Sequence, residues 1–143
     1  MKKLFIGAII SATFFISCET LNKIPTNTTG GLFSLNGNWT LLSTSDNTAM
    51  SGSVVNVLPG LSSATVSSSA NNTYCVRQND VYWKSIKSNN GGFSLSNLVN
   101  ACNGSMVYND AQITVLTNDQ VRLTGKTAAG ADLVQTWNRT SQK

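Results

Sequence analysis

From Phe33 onward, apolar and polar residues alternate along the chain with a period of two. Every odd position of segment 33–41 is apolar or glycine, and Leu133, Gln135, Trp137 and Arg139 share one face of segment 133–139. This alternation is typical of strands that bury one face. Short apolar runs between the two segments are separated by turn signals, of which Asn-Asn-Gly-Gly at 89–92 is the strongest. The pattern therefore predicts an all-β chain.

The spacing of these runs predicts the architecture. We count about eight to ten short strands, including a short one at 74–76, joined by tight turns. No part of segment 33–143 carries a 3.6-residue apolar stripe over three turns. Many short strands at close spacing indicate a small antiparallel barrel, with a meander topology because few connections are long enough to cross over. A two-sheet β-sandwich is the alternative.

The first 17 residues have a different pattern. Lys2 and Lys3 precede an uncharged, mostly apolar run that ends at Ser17-Cys18. A basic start, an apolar middle and small residues at the cut define a secretory signal. The tetrad Phe-Ile-Ser-Cys at 15–18 resembles a bacterial lipobox, although this motif usually has Leu at its first position. The resemblance implies that residues 1–17 are removed and that Cys18 carries lipid.

Two other interpretations of this leader are a transmembrane anchor and an ordinary signal peptide. The apolar run of about 14 residues is short of the roughly 20 that a spanning helix needs. Segment 18–32, with Pro25, a Thr/Asn run and Gly30-Gly31, predicts a flexible tether. The predicted organisation is thus a signal peptide at 1–17, a tether at 18–32 and one β domain at 33–143.

Composition agrees with a protein of the cell envelope. Only 11% of residues are charged, while Ser, Thr and Asn are abundant. The chain has 10 Lys and Arg against 6 Asp and Glu, and two of the lysines lie in the leader. No basic cluster is present, so we predict no nucleic-acid partner. We expect a location at the outer membrane facing the periplasm, with surface exposure as the alternative.

The three cysteines fall into two groups, Cys18 after the leader and the pair Cys75 and Cys102 in the β domain. If Cys18 carries lipid, Cys75 and Cys102 remain as an even pair in an oxidising compartment, where disulfides form. The alternative is a pair of buried free thiols. We predict the disulfide.

The start of the β domain resembles a known family. The Gly37-Asn38-Trp39 sequence is similar to the Gly-x-Trp motif that opens lipocalin-like barrels. The resemblance implies that Trp39 closes one end of a barrel and that an arginine near the C-terminus packs across it, for which Arg139 is the candidate. It covers about ten residues and the strand count, and the domain is short for a lipocalin. Compact lipocalin-like domains of bacterial lipoproteins are more similar.

The residues for common catalytic chemistry are missing. The chain has no histidine, which excludes a Ser-His-Asp triad. All carboxylates of segment 33–143 are aspartates at or near predicted turns, where backbone reasons favour them. No zinc-ligand spacing or phosphate loop is found. We predict no catalytic residue, no metal and no cofactor, and hence no enzyme.

Two functional classes remain. The first is a non-catalytic interaction or accessory module of the envelope, which contacts a protein partner through its loops, notably 89–92 and 100–104, or through an edge strand. Inhibition of a secreted enzyme is a further variant of this class. The second class is lipocalin-like binding of a small apolar ligand or a glycan inside the barrel, with an aromatic lining of Tyr74, Tyr82, Trp83 and Tyr108. An internal cavity of a few hundred Å³ would favour the second class, and a filled core the first.

Overall fold

A computed structural model describes residues 33–58, 60 and 62–140 of the chain. Eight strands form a closed barrel in which each strand pairs antiparallel with the next and the last returns to the first. In chain order they are β1 Gly37–Thr44, β2 Val54–Val57, β3 Ser63–Ser68, β4 Val81–Asn89, β5 Gly92–Asn100, β6 Val107–Thr117, β7 Gln120–Lys126 and β8 Asp132–Arg139. The predicted meander barrel is confirmed, and the alternative of a sandwich is wrong.

Pairing of β1 with β8 closes the barrel. Trp39 lies opposite Arg139, and Leu41 lies opposite Trp137. Closure gives both edges of a sheet a partner, so it removes free edge strands. Among the described strands none is left as an edge, and the expectation that a partner docks on an edge strand is therefore wrong.

Side chains fill the interior of the barrel. The alternation predicted for β8 is observed, because Leu133, Gln135 and Trp137 are buried while Val134 between them is exposed. Trp39, Trp83 and Trp137 are each 0% exposed. Three indoles account for much of the interior, which in an eight-stranded barrel is just wide enough for side chains to fill it or for one small ligand.

One bulge places two consecutive aromatic residues in that interior. Val81 and Trp83 pair with the adjacent residues Thr65 and Ala64, so Tyr82 is an extra residue in β4. Both neighbouring rings approach Trp137, with centroid distances of 5.6 Å for Tyr82 and 5.0 Å for Trp83. The bulge thus breaks the period of two and adds a ring to the core.

The two ends of the barrel differ. The turn end carries the segment 33–36, the short connections 58–62, 90–91 and 118–119, and the end of β8. The loop end carries the longer connections 45–53, 69–80, 101–106 and 127–131, which include the 3-10 turns Thr48–Met50 and Cys102–Gly104. The two loops predicted to contact a partner, 89–92 and 100–104, therefore lie at opposite ends.

The strand predicted at 74–76 is wrong. These residues belong to the connection 69–80 at the loop end. Cys75 has a φ of 58°, which is incompatible with an extended strand. The described residues contain no helix long and apolar enough to cross a membrane. The predicted signal peptide, the lipidation site Cys18 and the predicted tether lie outside the described residues.

Candidate functional site

A chain of hydrogen bonds crosses the interior near the loop end. Trp137 Nε1 donates to Gln135 Oε1 at 3.2 Å, and Gln135 Nε2 donates to the Tyr82 hydroxyl at 3.1 Å. The Tyr82 hydroxyl in turn lies 3.9 Å from Met50 Sδ. Burial raises the pKa of Tyr82 well above its usual range. Gln135, which is 0% exposed, thus has each of its polar atoms paired with an interior aromatic.

A second polar pair lies beside this chain. Trp83 Nε1 donates to Asn97 Oδ1 at 3.1 Å. Asn97 is 1% exposed, and its Nδ2 has no partner among the described residues. Interior polar groups of this kind orient the indoles, because a buried N–H costs free energy unless it is paired.

The structure separates the four aromatics predicted to line a ligand site. Tyr82 and Trp83 lie in the packed interior, whereas Tyr74 lies in the connection 69–80. Tyr108 lies on the wall of the barrel, where its hydroxyl donates to Val81 O at 2.7 Å and the Lys84 ammonium is 3.6 Å from its ring centroid. Burial, and then the charge of Asp80, raises the pKa of Tyr108. A ligand-binding role for these residues stays a prediction.

At the turn end, Arg139 joins the segment 33–36 to the barrel. Its Nη1 and Nη2 donate to the carbonyls of Asn36 at 2.5 Å and Ser34 at 2.6 Å. Its Cζ lies 4.4 Å from the ring centroid of Trp39, whose Nε1 donates to Leu35 O at 2.7 Å. Burial lowers the pKa of Arg139, which stays cationic. Its Nε donates to a third carbonyl, that of Asn118, at 3.3 Å. The guanidinium thus covers the indole and donates to three carbonyls.

Gly37 permits this approach. Its φ is +111°, a value that residues with a Cβ rarely adopt, and a Cβ built there would lie 3.4 Å from Arg139 Nη1. The chain therefore bends at Gly37 and passes from segment 33–36 into β1 beside the guanidinium.

At the loop end, a disulfide joins two connections. Cys75 and Cys102 are bonded, with 5.0 Å between their Cα atoms, so the predicted disulfide is confirmed. It ties the connection 69–80 to the 3-10 turn Cys102–Gly104, and a backbone hydrogen bond of 2.7 Å from Ala101 N to Tyr74 O reinforces the tie. The longest connection of the described barrel is thereby fixed against its neighbour.

The side chain of Asn72 orders the rest of that connection. Its Oδ1 accepts from Val76 N at 3.0 Å, and its Nδ2 donates to Ala70 O at 2.9 Å. Ala70 N donates to the buried hydroxyl of Ser53 at 3.0 Å, which links the connection to 45–53. Three of the four loop-end connections are therefore braced to one another.

A polar cleft of about 210 Å³ opens beside the disulfide. It is lined by both half-cystines and by Arg77, Asp80, Asn103 and Met106. Met106 is 46% exposed and the adjacent Val107 is 42% exposed. Apolar side chains next to charged and amide groups, on a braced backbone, are suited to contact with a protein surface.

Sequence reasoning found half of this cleft. It predicted the loop 100–104 as a contact, but it missed Arg77, Asp80 and Met106. A strand at 74–76, as the sequence predicts, leaves too short a connection to place Arg77 and Asp80 in a cleft. The Asn-Asn turn signal at 71–72, three residues before Cys75, is the sequence feature that could have indicated a braced loop.

Within the part of the chain that the structure describes, no three His, Cys, Asp or Glu side chains lie close enough to share a metal ion. Comparison with protein-family models, with curated proteins and with solved structures found no match to this chain.

Proposed function

We propose that this chain is a lipid-anchored lipoprotein of the cell envelope whose barrel is a non-catalytic interaction module. The anchor is the lipidated Cys18, and the braced loop end is the surface that contacts a protein partner. The packed interior favours the interaction module over a barrel that binds a ligand inside. Trp39, Trp83 and Trp137 are each 0% exposed and fill part of the barrel interior, which leaves less room for an internal ligand. Four pockets lined by described residues open to solvent.

The geometry favours the loop end as the contact surface. Barrel closure leaves no described edge strand for β-augmentation, so a partner would have to recognise side chains and loops. The disulfide and the Asn72 hydrogen bonds hold the loop-end backbone in place before binding. A surface that is ordered in advance loses less conformational entropy on association. An envelope protein, including a secreted enzyme that the module inhibits, fits this surface.

The anchor is tested by metabolic labelling with an alkyne analogue of palmitate in a bacterial host. We expect label on the wild-type protein and none on Cys18→Ser. The matched control is the Cys75→Ser/Cys102→Ser variant, which loses two cysteines but keeps Cys18 and should retain the label. An intact mass showing an unmodified Cys18, or a mature chain that starts elsewhere, would contradict the anchor.

The contact surface is tested by site-specific photo-crosslinking in cells. A photoreactive residue at Ser105, on the loop end, should give a discrete protein adduct. The same residue at Asn90, on the turn end, should give none. Met106→Asp, which places a charge in the cleft, should abolish the Ser105 adduct. Equal adducts at both positions, or an adduct insensitive to Met106→Asp, would show that the loop end is not the contact surface.

A further inference from the structure

We infer that the turn end of the barrel contacts the anionic phospholipid headgroups of the membrane that holds the anchor. The inference rests on the proposed lipid anchor and adds an interaction surface to it. Three observations carry it: where the chain enters the barrel, how charge is distributed between the two ends, and what side chains the turn end exposes.

The chain enters the barrel at the turn end. Phe33, 6% exposed, is the first described residue, and its ring lies 6.1 Å from that of Phe93 and 6.2 Å from that of Trp39. Arg139 holds the next residues through the carbonyls of Ser34 and Asn36. The predicted tether thus leaves from a fixed point at this end. A coil of 14 residues typically reaches about 20 Å, and a barrel with strands of this length is roughly 25 Å tall. The turn end is therefore the end nearer to the membrane.

The distribution of charge also favours the turn end as the end that faces an anionic membrane. Among the described residues, the turn end carries three cations, Lys87, Arg122 and Arg139, against one carboxylate, Asp119. The loop end carries three carboxylates, Asp46, Asp80 and Asp132, against two cations, Arg77 and Lys126. Lys84 and Asp110 lie near the middle, where both pair with Ser96. The loop-end cation Lys126 is neutralised further by Asp132 at 2.7 Å.

The two exposed cations of the turn end lie on different sides of the barrel. Lys87 is on β4 and Arg122 is on β7, so three of the eight strand spacings separate them around its circumference. Two shallow pockets, of about 280 and 540 Å³, lie on the Lys87 side and share Gln112. Lys87 and Asp110 both line the smaller pocket, while Asn90 and Asn89, whose Nδ2 donates to Gln112 Oε1 at 2.8 Å, line the larger one. Cations at several points around one end of a barrel can each approach a phosphate when that end lies on a headgroup layer.

The turn end also exposes a leucine. Leu58, after β2, is 43% exposed. An exposed leucine at the same barrel end as the cations suits the boundary between headgroups and acyl chains. At about fivefold for each cation near an anionic surface, Lys87 and Arg122 together would favour this orientation about 25-fold. At physiological salt that is too little to hold a free protein stably, although binding strengthens at low salt; it is enough to orient a protein that a tether already keeps at the surface.

Lysine acetylation tests the orientation on the lipidated protein. The protein is reconstituted in vesicles of phosphatidylglycerol and phosphatidylethanolamine, or of phosphatidylcholine alone, and the acetylation rate of each lysine is measured by mass spectrometry. We expect the rate at Lys87 to fall at least about fivefold in the anionic vesicles and to recover at high salt. The rate at Lys126, at the opposite end, should change less than twofold. Protection of Lys126 instead, or of neither lysine, would overturn the inference.

Charge variants test the same surface without the anchor. The chain from residue 18, with Cys18→Ala, contains the whole described barrel and is sedimented with the anionic vesicles at low salt. Lys87→Gln/Arg122→Gln should weaken this binding about 20-fold. The matched control, Arg77→Gln/Lys126→Gln, removes the same charge from the loop end and should change binding less than threefold. Equal weakening by both variants would show an effect of net charge alone and would overturn the inference. If Cys18 proves unlipidated, the proposed anchor fails, while this assay still decides the role of the turn end.

Discussion

Arg139 lies across the indole of Trp39, with 4.4 Å between Cζ and the ring centroid, although 100 residues separate the two in the chain. The two residues also face each other in the pairing of β1 with β8. The same guanidinium, which has only hydrogen-bond donors, donates to the carbonyls of Ser34 and Asn36. One side chain therefore covers the indole and attaches the incoming chain at the place where β1 pairs with β8.

Replacement of Arg139 by alanine should lower the free energy of unfolding by about 2–4 kcal/mol. The loss combines charge-assisted hydrogen bonds with a cation–π contact. The ion pair with Asp119, at 3.7 Å and with Asp119 mostly exposed, should add little. Arg139→Lys keeps the charge but loses the planar fork, so its loss should be about half as large. Urea unfolding measures both variants.

The control for Arg139 is Arg122→Ala, since Arg122 is an exposed arginine of the same barrel end. This change should stay within about 0.5 kcal/mol of the wild type. Hydrogen exchange should show faster exchange at 33–36 in Arg139→Ala than in Arg122→Ala. Equal stabilities of the two alanine variants would mean that the contacts of Arg139 do not stabilise the fold.

Loss of the disulfide should destabilise the barrel mainly through the unfolded state. The bond spans a sequence separation of 27 residues. On the chain-entropy model, a loop of this length contributes about 3–4 kcal/mol. Cys75→Ala/Cys102→Ala should lose this amount, measured by urea unfolding without reductant. Reductant should destabilise the wild type equally and leave the double variant unchanged. A loss below about 1 kcal/mol would indicate that the hydrogen bonds of Asn72 suffice to order the connection.

Periodicity predicted the fold well where a strand is regular. In β8, alternation identified Leu133, Gln135 and Trp137 as one face, and the structure buries that face. Alternation alone does not explain how a glutamine is accommodated on the buried face. Gln135 is buried because Tyr82 and Trp137 pair with its amide, and Tyr82 reaches it only through the bulge in β4. A bulge depends on pairing between distant strands, which a single sequence does not display.

The loop end was predicted less well for a similar reason. Tyr-Cys-Val at 74–76 has the composition of a strand, yet Cys75 adopts a φ of 58° and its partner Cys102 lies in a 3-10 turn. The pairing of Cys75 with Cys102 was predictable once Cys18 was assigned to lipid, whereas the path of the chain around the pair was not. The cleft of Arg77, Asp80 and Met106 depends on that path. The cysteine count therefore predicted the disulfide, and local propensity missed the cleft that forms beside it.

Gly92 should tolerate no larger residue. A Cβ at this position would lie 1.9 Å from Ile113 O, a backbone atom of the paired strand β6. Gly92→Ala should therefore lower the free energy of unfolding by more than about 3 kcal/mol or prevent folding. Its neighbour Gly91 is the matched control, because it has a φ of +84° but no atom within 4 Å of a Cβ. Gly91→Ala should cost only the strain of a positive φ, about 1–2 kcal/mol. Similar melting temperatures for the two variants would contradict the close approach.

Alkaline pH should destabilise the barrel through Tyr82. Burial raises the pKa of Tyr82 in the folded state, while in the unfolded state the pKa is near 10. As pH rises past about 10 the unfolded state loses this proton first, so the stability that Tyr82 contributes at lower pH declines, by up to about 1.4 kcal/mol per pH unit. Tyr82→Phe removes this dependence. At pH 8 it should cost about 1 kcal/mol or more, because Gln135 Nε2 loses its acceptor.

The free energies of unfolding of the wild type and Tyr82→Phe should therefore converge as the pH approaches about 11. Urea unfolding at a series of pH values measures the difference between them, and lysine titration, common to both proteins, cancels in it. Tyr108→Phe is the control, since Tyr108 is partly exposed on the wall of the barrel and its pKa is raised by a milder burial. The difference between this control and the wild type should vary less with pH. Parallel curves for the wild type and Tyr82→Phe would mean that the Tyr82 hydroxyl ionises as readily in the folded barrel as in the unfolded chain.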